Sequence, residues 1–253
     1  NLKMGNVQDG ILILEDLVLM SQNAFDVTVE LAKAYIQNKE YQKALDKYLL
    51  LLDKAMPREA KKVNIYISEL YIDWAKTMSQ DGKFEESFEY LRSAAQYNPI
   101  DSEIFYNNAL NYLQLKNYTN AVESINRAIE YDKEMKYNAK YLLVLADSHH
   151  NLGNFFEEKK ALTDLLKLDD KNSEGLYRVG LMYAAQHDIK NAEEAFKKAI
   201  MYAPDMINAK YNLALLYENN NRERAKDLYM EILTQDPSFE EAKRALNDLS
   251  SSD

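Results

Sequence analysis

The chain of 253 residues has no cysteine. Disulfides, thiolate nucleophiles and cysteine-ligated metals are therefore excluded, while the redox compartment stays open. Glycine and proline are scarce, at six and four, so few positions interrupt a helix and a mostly helical chain is expected. Positive charge is also short. Lys and Arg total 31 against 41 Asp and Glu, a net charge of −10, whereas a nucleic-acid surface needs clustered cations to neutralise phosphates. No nucleic-acid partner is expected. The longest apolar run, residues 11–20, is interrupted by Glu15 and Asp16 and reaches only about half of the ~20 residues that cross a bilayer. No membrane span is expected within this chain, and no basic start leads into an apolar leader. The sequence also lacks a Gly-rich phosphate loop, a nucleophile elbow and an H-E-x-x-H pair.

What is present is an internal period. Within residues 175–204, Leu176, Val179, Gly180, Tyr183, Ala192, Phe196, Ala199 and Pro204 stand at the spacing W-x2-L-G-x2-Y, then A-x3-F, then P. That spacing, with a period of about 34 residues, is the signature of two short helices and a turn. The chain therefore resembles the tetratricopeptide-repeat family. The resemblance implies an all-α, right-handed superhelical solenoid of antiparallel helix pairs that binds a protein or peptide and needs no cofactor.

The small-residue slot of the first helix recurs as Ala32, Ala75, Ala109, Ala146, Gly180 and Ala214, and the aromatic slot three residues on as Tyr35, Met78, Tyr112, His149, Tyr183 and Tyr217. In the second helix the small slot reads Ala44, Ser87, Ala121, Glu158, Ala192 and Ala225, followed four residues later by Tyr48, Leu91, Ile125, Leu162, Phe196 and Tyr229. Spacings of three, four and seven place these residues on one helical face, where small residues allow close approach and bulky ones fill the gap.

The expected divisions are a partial repeat at 1–22 containing only a second helix, repeats at 25–56, 58–100, 101–134, 135–171, 172–205 and 206–237, and a C-terminal capping helix at 238–250. The partial repeat predicts that the chain begins inside a longer array. Successive first-helix slots are 43, 34, 37, 34 and 34 residues apart, which places a large insertion near Met56-Pro57-Arg58 and a small one between residues 131 and 140. Pro57 should end one helix and open a longer one. The last repeat is one residue short, with Asn219-Asn220-Asn221 as its turn. Ser238 and Glu241 have the S-x-x-E form of a capping box, and the Ser-Ser-Ser-Asp tail is expected to fray.

Reactive groups do not converge. His149 occupies an aromatic slot and is expected to be packed and hydrogen-bonded; Asp147 and His150 share a helical face without a third ligand, so no metal site is expected. Acidic doublets such as Glu193-Glu194 diverge by about 100° on a helix and form solvated surface. The chain is not expected to be an enzyme.

In the family it resembles, the first helices line a concave groove. The slots pointing there are Val29 and Lys33, Ile72 and Lys76, Tyr106 and Leu110, Leu143 and Asp147, Tyr177 and Leu181, and Tyr211 and Leu215, with Asn107, Arg178 and Asn212 as polar neighbours. Family members that clamp a carboxylate tail use Lys and Asn in these slots. Here Leu110, Leu181 and Leu215 replace the Asn, leaving Lys33 and Lys76 as isolated cations. Three Tyr-Leu pairs suit an apolar or amphipathic segment, because Tyr combines rigid area with a hydroxyl. Two alternatives remain open: a non-catalytic targeting module of a larger enzyme or of a secretion or envelope assembly, and a homodimer formed through the apolar face of the partial repeat, Ile11, Leu12, Leu14, Leu17, Val18 and Leu19.

Overall fold

The structure is a computed structural model that describes residues 7–20, 24–132 and 139–251. The small insertion at 131–140 and the tail from residue 252 lie largely outside the described residues. Among the described residues there are fourteen α-helices and no strand. They fall into two compact units, Asn1–Lys136 and Tyr137–Asp253.

The first unit comprises α1 (Val7–Met20), α2 (Ala24–Gln37), α3 (Tyr41–Lys54), α4 (Pro57–Gln80), α5 (Phe84–Tyr97), α6 (Ser102–Gln114) and α7 (Tyr118–Tyr131). The second comprises α8 (Ala139–Asn151), α9 (Phe155–Leu168), α10 (Ser173–Ala185), α11 (Ile189–Tyr202), α12 (Ile207–Tyr217), α13 (Arg222–Gln235) and α14 (Glu240–Ser251). In the first unit α2 packs on α3, α4 on α5 and α6 on α7; in the second α8 packs on α9, α10 on α11 and α12 on α13.

The pairing follows from the slot residues. Ala32, Ala75, Ala109 and Ala214 are fully buried, as are their second-helix counterparts Ala44, Ser87, Ala121, Ala192 and Ala225. The bulky residues one turn on, Tyr48, Leu91, Ile125, Leu162, Phe196 and Tyr229, are all 2% exposed or less. Close approach is evident at Gly180, where an added Cβ would stand 2.5 Å from the Phe196 ring. The smallest slot residue thus faces one of the largest.

A second regularity sits in the turn inside each pair. Lys39, Gly82, Lys116, Gly153 and His187 all have φ between 56° and 75°, and each lies two residues before the second helix. The N–H three residues after the end of each of these first helices reaches back to the aromatic-slot carbonyl: Glu40 to Tyr35, Lys83 to Met78, Asn117 to Tyr112, Asn154 to His149 and Asp188 to Tyr183, at 2.8–2.9 Å. This is a Schellman end, which needs one left-handed residue. The last pair is one residue short and has no such residue. There Asn221 N–H bonds the Tyr217 carbonyl directly at 2.7 Å, and the Asn221 side chain caps α13 by accepting from Arg224 N–H.

The large insertion became helix. α4 begins at Pro57, as expected, and runs for 24 residues, with Met56 N–H donating to Glu59 at its start. Its extra surface is filled by rings: Trp74 stacks on Tyr90 at 4.3 Å and on Tyr41 at 5.3 Å, and Tyr71 on Tyr97 at 6.1 Å. The expected capping box at Ser238 does not form. α14 starts two residues later, at Glu240, because the Ser238 hydroxyl and N–H both donate to Asp236, the residue that ends α13. The side chain is spent on the turn and is not available to the helix.

Candidate partner-binding face

The first helices of the repeats are α2, α4 and α6 in the first unit and α8, α10 and α12 in the second, and the predicted residues are distributed over both. In the first unit Lys33 and Lys76 are not isolated. Lys33 donates to Glu30 at 2.7 Å and its ammonium lies 5.9 Å from the centre of the Tyr66 ring; Lys76 lies 3.7 Å from Asp73 and 3.9 Å from Glu103 of α6. The sequence reading missed these pairs because the carboxylates sit one turn before each Lys or on the next first helix. Lys33 and Tyr66, with Glu69 and Asp73, border a cleft of about 260 Å³. Burial, then the nearby carboxylates of Asp101 and Asp73, hold the Glu69 carboxyl above the usual carboxylate range. An acidic lining of this kind disfavours a bound carboxylate tail, in keeping with the missing Asn residues. Tyr106 and Leu110 are half-buried, whereas Asn107 is 6% exposed and spends its amide on the Glu103 carbonyl at 2.7 Å.

The second unit brings more of the predicted residues together. Tyr177, Leu181 and Tyr211 are half-buried and Leu215 is exposed. The Asn212 amide donates to the Tyr177 hydroxyl at 3.4 Å and to the Asn208 carbonyl at 2.8 Å, linking α12 to α10. Arg178 links α10 to α8: it donates to Asp147 across the helices and to Glu174 on its own helix at 2.8 Å. Asp147 and His150 therefore have separate partners, since His150 Nδ1 lies 3.0 Å from Glu158 of α9. The buried Glu158, an acid in a small-residue slot, is accommodated by that contact. His149 is half-buried with Nδ1 unpartnered, so the expected hydrogen bond is absent there, and burial lowers its pKa from the ordinary value.

The tyrosines are anchored from behind. Tyr177 packs against Phe196 with ring centres 6.0 Å apart, and Tyr211 meets Phe239 edge-on at 5.5 Å and Tyr229 at 5.9 Å. Burial raises the Tyr177 phenol above its ordinary pKa, so it stays a neutral donor at physiological pH. Beyond Tyr211 and Leu215 the face opens into a cleft of about 460 Å³ between α12 and α14, with Glu218, Arg222, Arg244 and Asp248 among its walls. Sequence reasoning missed these charged residues because they occupy no repeat slot.

On the predicted apolar face of α1, Ile11 is buried and Leu14 and Val18 pack against neighbouring residues, while Leu12, Leu17 and Leu19 are 54%, 45% and 84% exposed. No helix among the described residues is long and apolar enough to cross a membrane.

Helix pairs of roughly 34 residues, each closed by the same small-against-large contact, define an all-α helical-repeat protein. The family follows from direct comparison. Tetratricopeptide-repeat models match residues 102–135, 173–206 and 208–238, so the chain carries tetratricopeptide repeats. Among curated relatives, it is 35% identical over 111 residues to the uncharacterized protein ycf37 of Cyanophora paradoxa, covering 39% of this chain and 64% of that protein. It is 23% identical over 182 residues to the human protein O-mannosyl-transferase TMTC3, covering 71% of this chain and 20% of that protein. The aligned part of the chain thus spans less than two thirds of either relative. Among solved structures, the C-terminal part of a TPR repeat-containing protein from Cytophaga hutchinsonii superimposes with a TM-score of 0.67 at 17% identity, covering 95% of each chain. YrrB, described as a TPR protein with an unusual peptide-binding site, superimposes with a TM-score of 0.53 at 19% identity over 70% of this chain and 90% of that one.

Proposed function

We propose that this protein is a non-catalytic interaction module that holds a peptide or amphipathic helix of a partner protein along its first helices, with the strongest contacts in the second unit. Tyr177, Leu181, Tyr211 and Leu215 supply the apolar contacts, and Arg178 and Asn212 orient the ligand; Lys33, Lys76, Tyr106, Asn107 and Leu110 belong to the corresponding face of the first unit. The observation that carries this assignment is the Asn212 to Tyr177 hydrogen bond. It ties two Tyr-Leu pairs from adjacent repeats into one strip that leads into the cleft beside α14. Rings braced by Phe196 and Phe239 lose little further freedom on binding, which is the property of a good interface anchor. The peptide-binding site named for YrrB is consistent with the same kind of ligand.

Affinity capture with cross-linking and mass spectrometry tests this. Captured partners should be lost, by ~2 kcal/mol or more of binding energy, in a Tyr177→Ala/Tyr211→Ala variant and in Leu215→Glu, with helical content unchanged. Equal capture by Leu215→Glu and the double variant would defeat it.

A second reading has separate support: similarity to 20% of a human O-mannosyl-transferase fits a non-catalytic module that targets a larger enzyme. Self-association is supported by the exposed Leu12, Leu17 and Leu19 of α1; light scattering that shows a monomer at all concentrations would exclude it.

A further inference from the structure

A cleft of about 560 Å³ in the first unit is built from α5, α6 and α7 and contains none of the residues discussed above as partner contacts. Its α6 wall is Ile104, Asn108 and Tyr112, with Phe105 beside them. At about 100° per residue the first three lie roughly 200° round the helix from Tyr106 and Leu110, so the cleft opens on the opposite side of α6 from the predicted groove. Its floor is apolar and rigid: Leu91 and Ile104 are 0% and 2% exposed, and Phe88 packs against Tyr112 at 4.8 Å.

Two guanidiniums stand at its rim, Arg92 from α5 and Arg127 from α7. The Arg127 guanidinium lies 4.6 Å from the centre of the Phe105 ring. A cation–π contact of this kind consumes no hydrogen-bond acceptor, so the guanidinium N–H groups remain for one. Among the described residues neither arginine forms an ion pair, whereas Lys33, Lys76, Arg178 and Lys210 all do. Glu123 is the one carboxylate in the lining. In a chain with 41 acidic residues and a net charge of −10, two neighbouring arginines without carboxylate partners form a local positive site in a negative surround.

We propose that this cleft docks an acidic peptide segment of a partner, with one apolar side chain on the Leu91–Ile104 floor and flanking Asp or Glu carboxylates held by Arg92 and Arg127. The volume is that of a ligand site, and the planar fork of arginine matches a carboxylate with two parallel hydrogen bonds. The site is separate from the first-helix face, so each can fail without the other.

Panning a random eight-residue peptide library tests it. The wild-type chain should enrich sequences with Asp or Glu beside Leu or Phe. Arg92→Gln/Arg127→Gln should lose that enrichment, and a selected, fluorescently labelled peptide should bind this variant about tenfold more weakly or worse, while Tyr177→Ala/Tyr211→Ala keeps wild-type affinity. Amide resonances of α5 and α7, not those of α10 and α12, should shift when the peptide is added to the wild-type chain, which reads the site without any substitution. No acidic enrichment on the wild type, a preference for basic or uncharged sequences, or shifts confined to α10 and α12 would each overturn the proposal.

Discussion

Gly180→Ala isolates the contact that sets the helix spacing in its repeat. An ideal Cβ at Gly180 would lie 2.5 Å from both Cδ1 and Cε1 of Phe196 and 3.1 Å from Cγ. Carbon atoms pack best at ~3.5–4.0 Å, so the ring would have to retreat by about 1 Å. It has little room, because Phe196 is fully buried and lies against Tyr177. Overpacking of this kind costs ~1–3 kcal/mol, and alanine returns about 1 kcal/mol through its better helix propensity. The net loss should be about 0–2 kcal/mol, a fall in Tm of up to roughly 8 °C by circular dichroism. Phe196→Leu removes the clash, and in that background Gly180→Ala should be neutral or stabilising. A coupling energy of about 1 kcal/mol or more is expected from the double-mutant cycle. Gly175 serves as the internal control: its nearest obstacle is the terminal methyl of Leu165 at 2.7 Å, which can rotate away, so Gly175→Ala should cost less. Equal effects of Gly180→Ala with and without the Phe196 ring would refute the reasoning.

Further outcomes are expected. Lys39, Lys116 and His187 hold left-handed backbone that glycine holds in the other two turns, so His187→Gly should raise stability by ~0.5–1 kcal/mol, measured by urea unfolding. Asp101 caps α6 by accepting from Glu103 N–H at 3.0 Å, and burial raises its carboxyl above the ordinary range. The folded chain therefore holds that proton more tightly than the unfolded chain, and stability falls as pH rises from the ordinary aspartate range through the raised value. Asp101→Asn keeps the cap and removes the charge, so it should equal or exceed wild-type stability at neutral pH and lose that advantage in acid; Asp101→Ala should cost about 1 kcal/mol at either pH. Ala192→Leu, at a fully buried slot, should cost ~1–3 kcal/mol while leaving peptide affinity unchanged.

The repeat period, the helices and the buried slots were legible in the sequence because they depend on neighbours three, four and seven residues apart. Even the longer helix from Pro57 was legible, since proline acts on its own and the preceding residue. The candidate site was legible only in part. Tyr177, Leu181, Tyr211 and Leu215 are candidates by their repeat position, but the Arg178 link to Asp147 and the pairing of Lys76 with Glu103 join residues 31 and 27 positions apart. No local pattern specifies such contacts. Ser238 failed as a cap for the opposite reason: its motif was right locally, but Asp236 two residues earlier offered a better acceptor.

By itself the sequence determined that this chain folds as stacked helix pairs and which face of each helix is buried, because an alternation of small and large residues at helical spacing has one low-energy way to pack. Only the tertiary structure decided what the remaining surface does. It paired Lys33 and Lys76 with carboxylates, joined Tyr177 to Asn212 and, among the described residues, left Arg92 and Arg127 without an ion pair beside an apolar floor, since charge pairing and cleft formation are set by which side chains meet across helices, at distances in space that the order of residues along the chain does not encode locally.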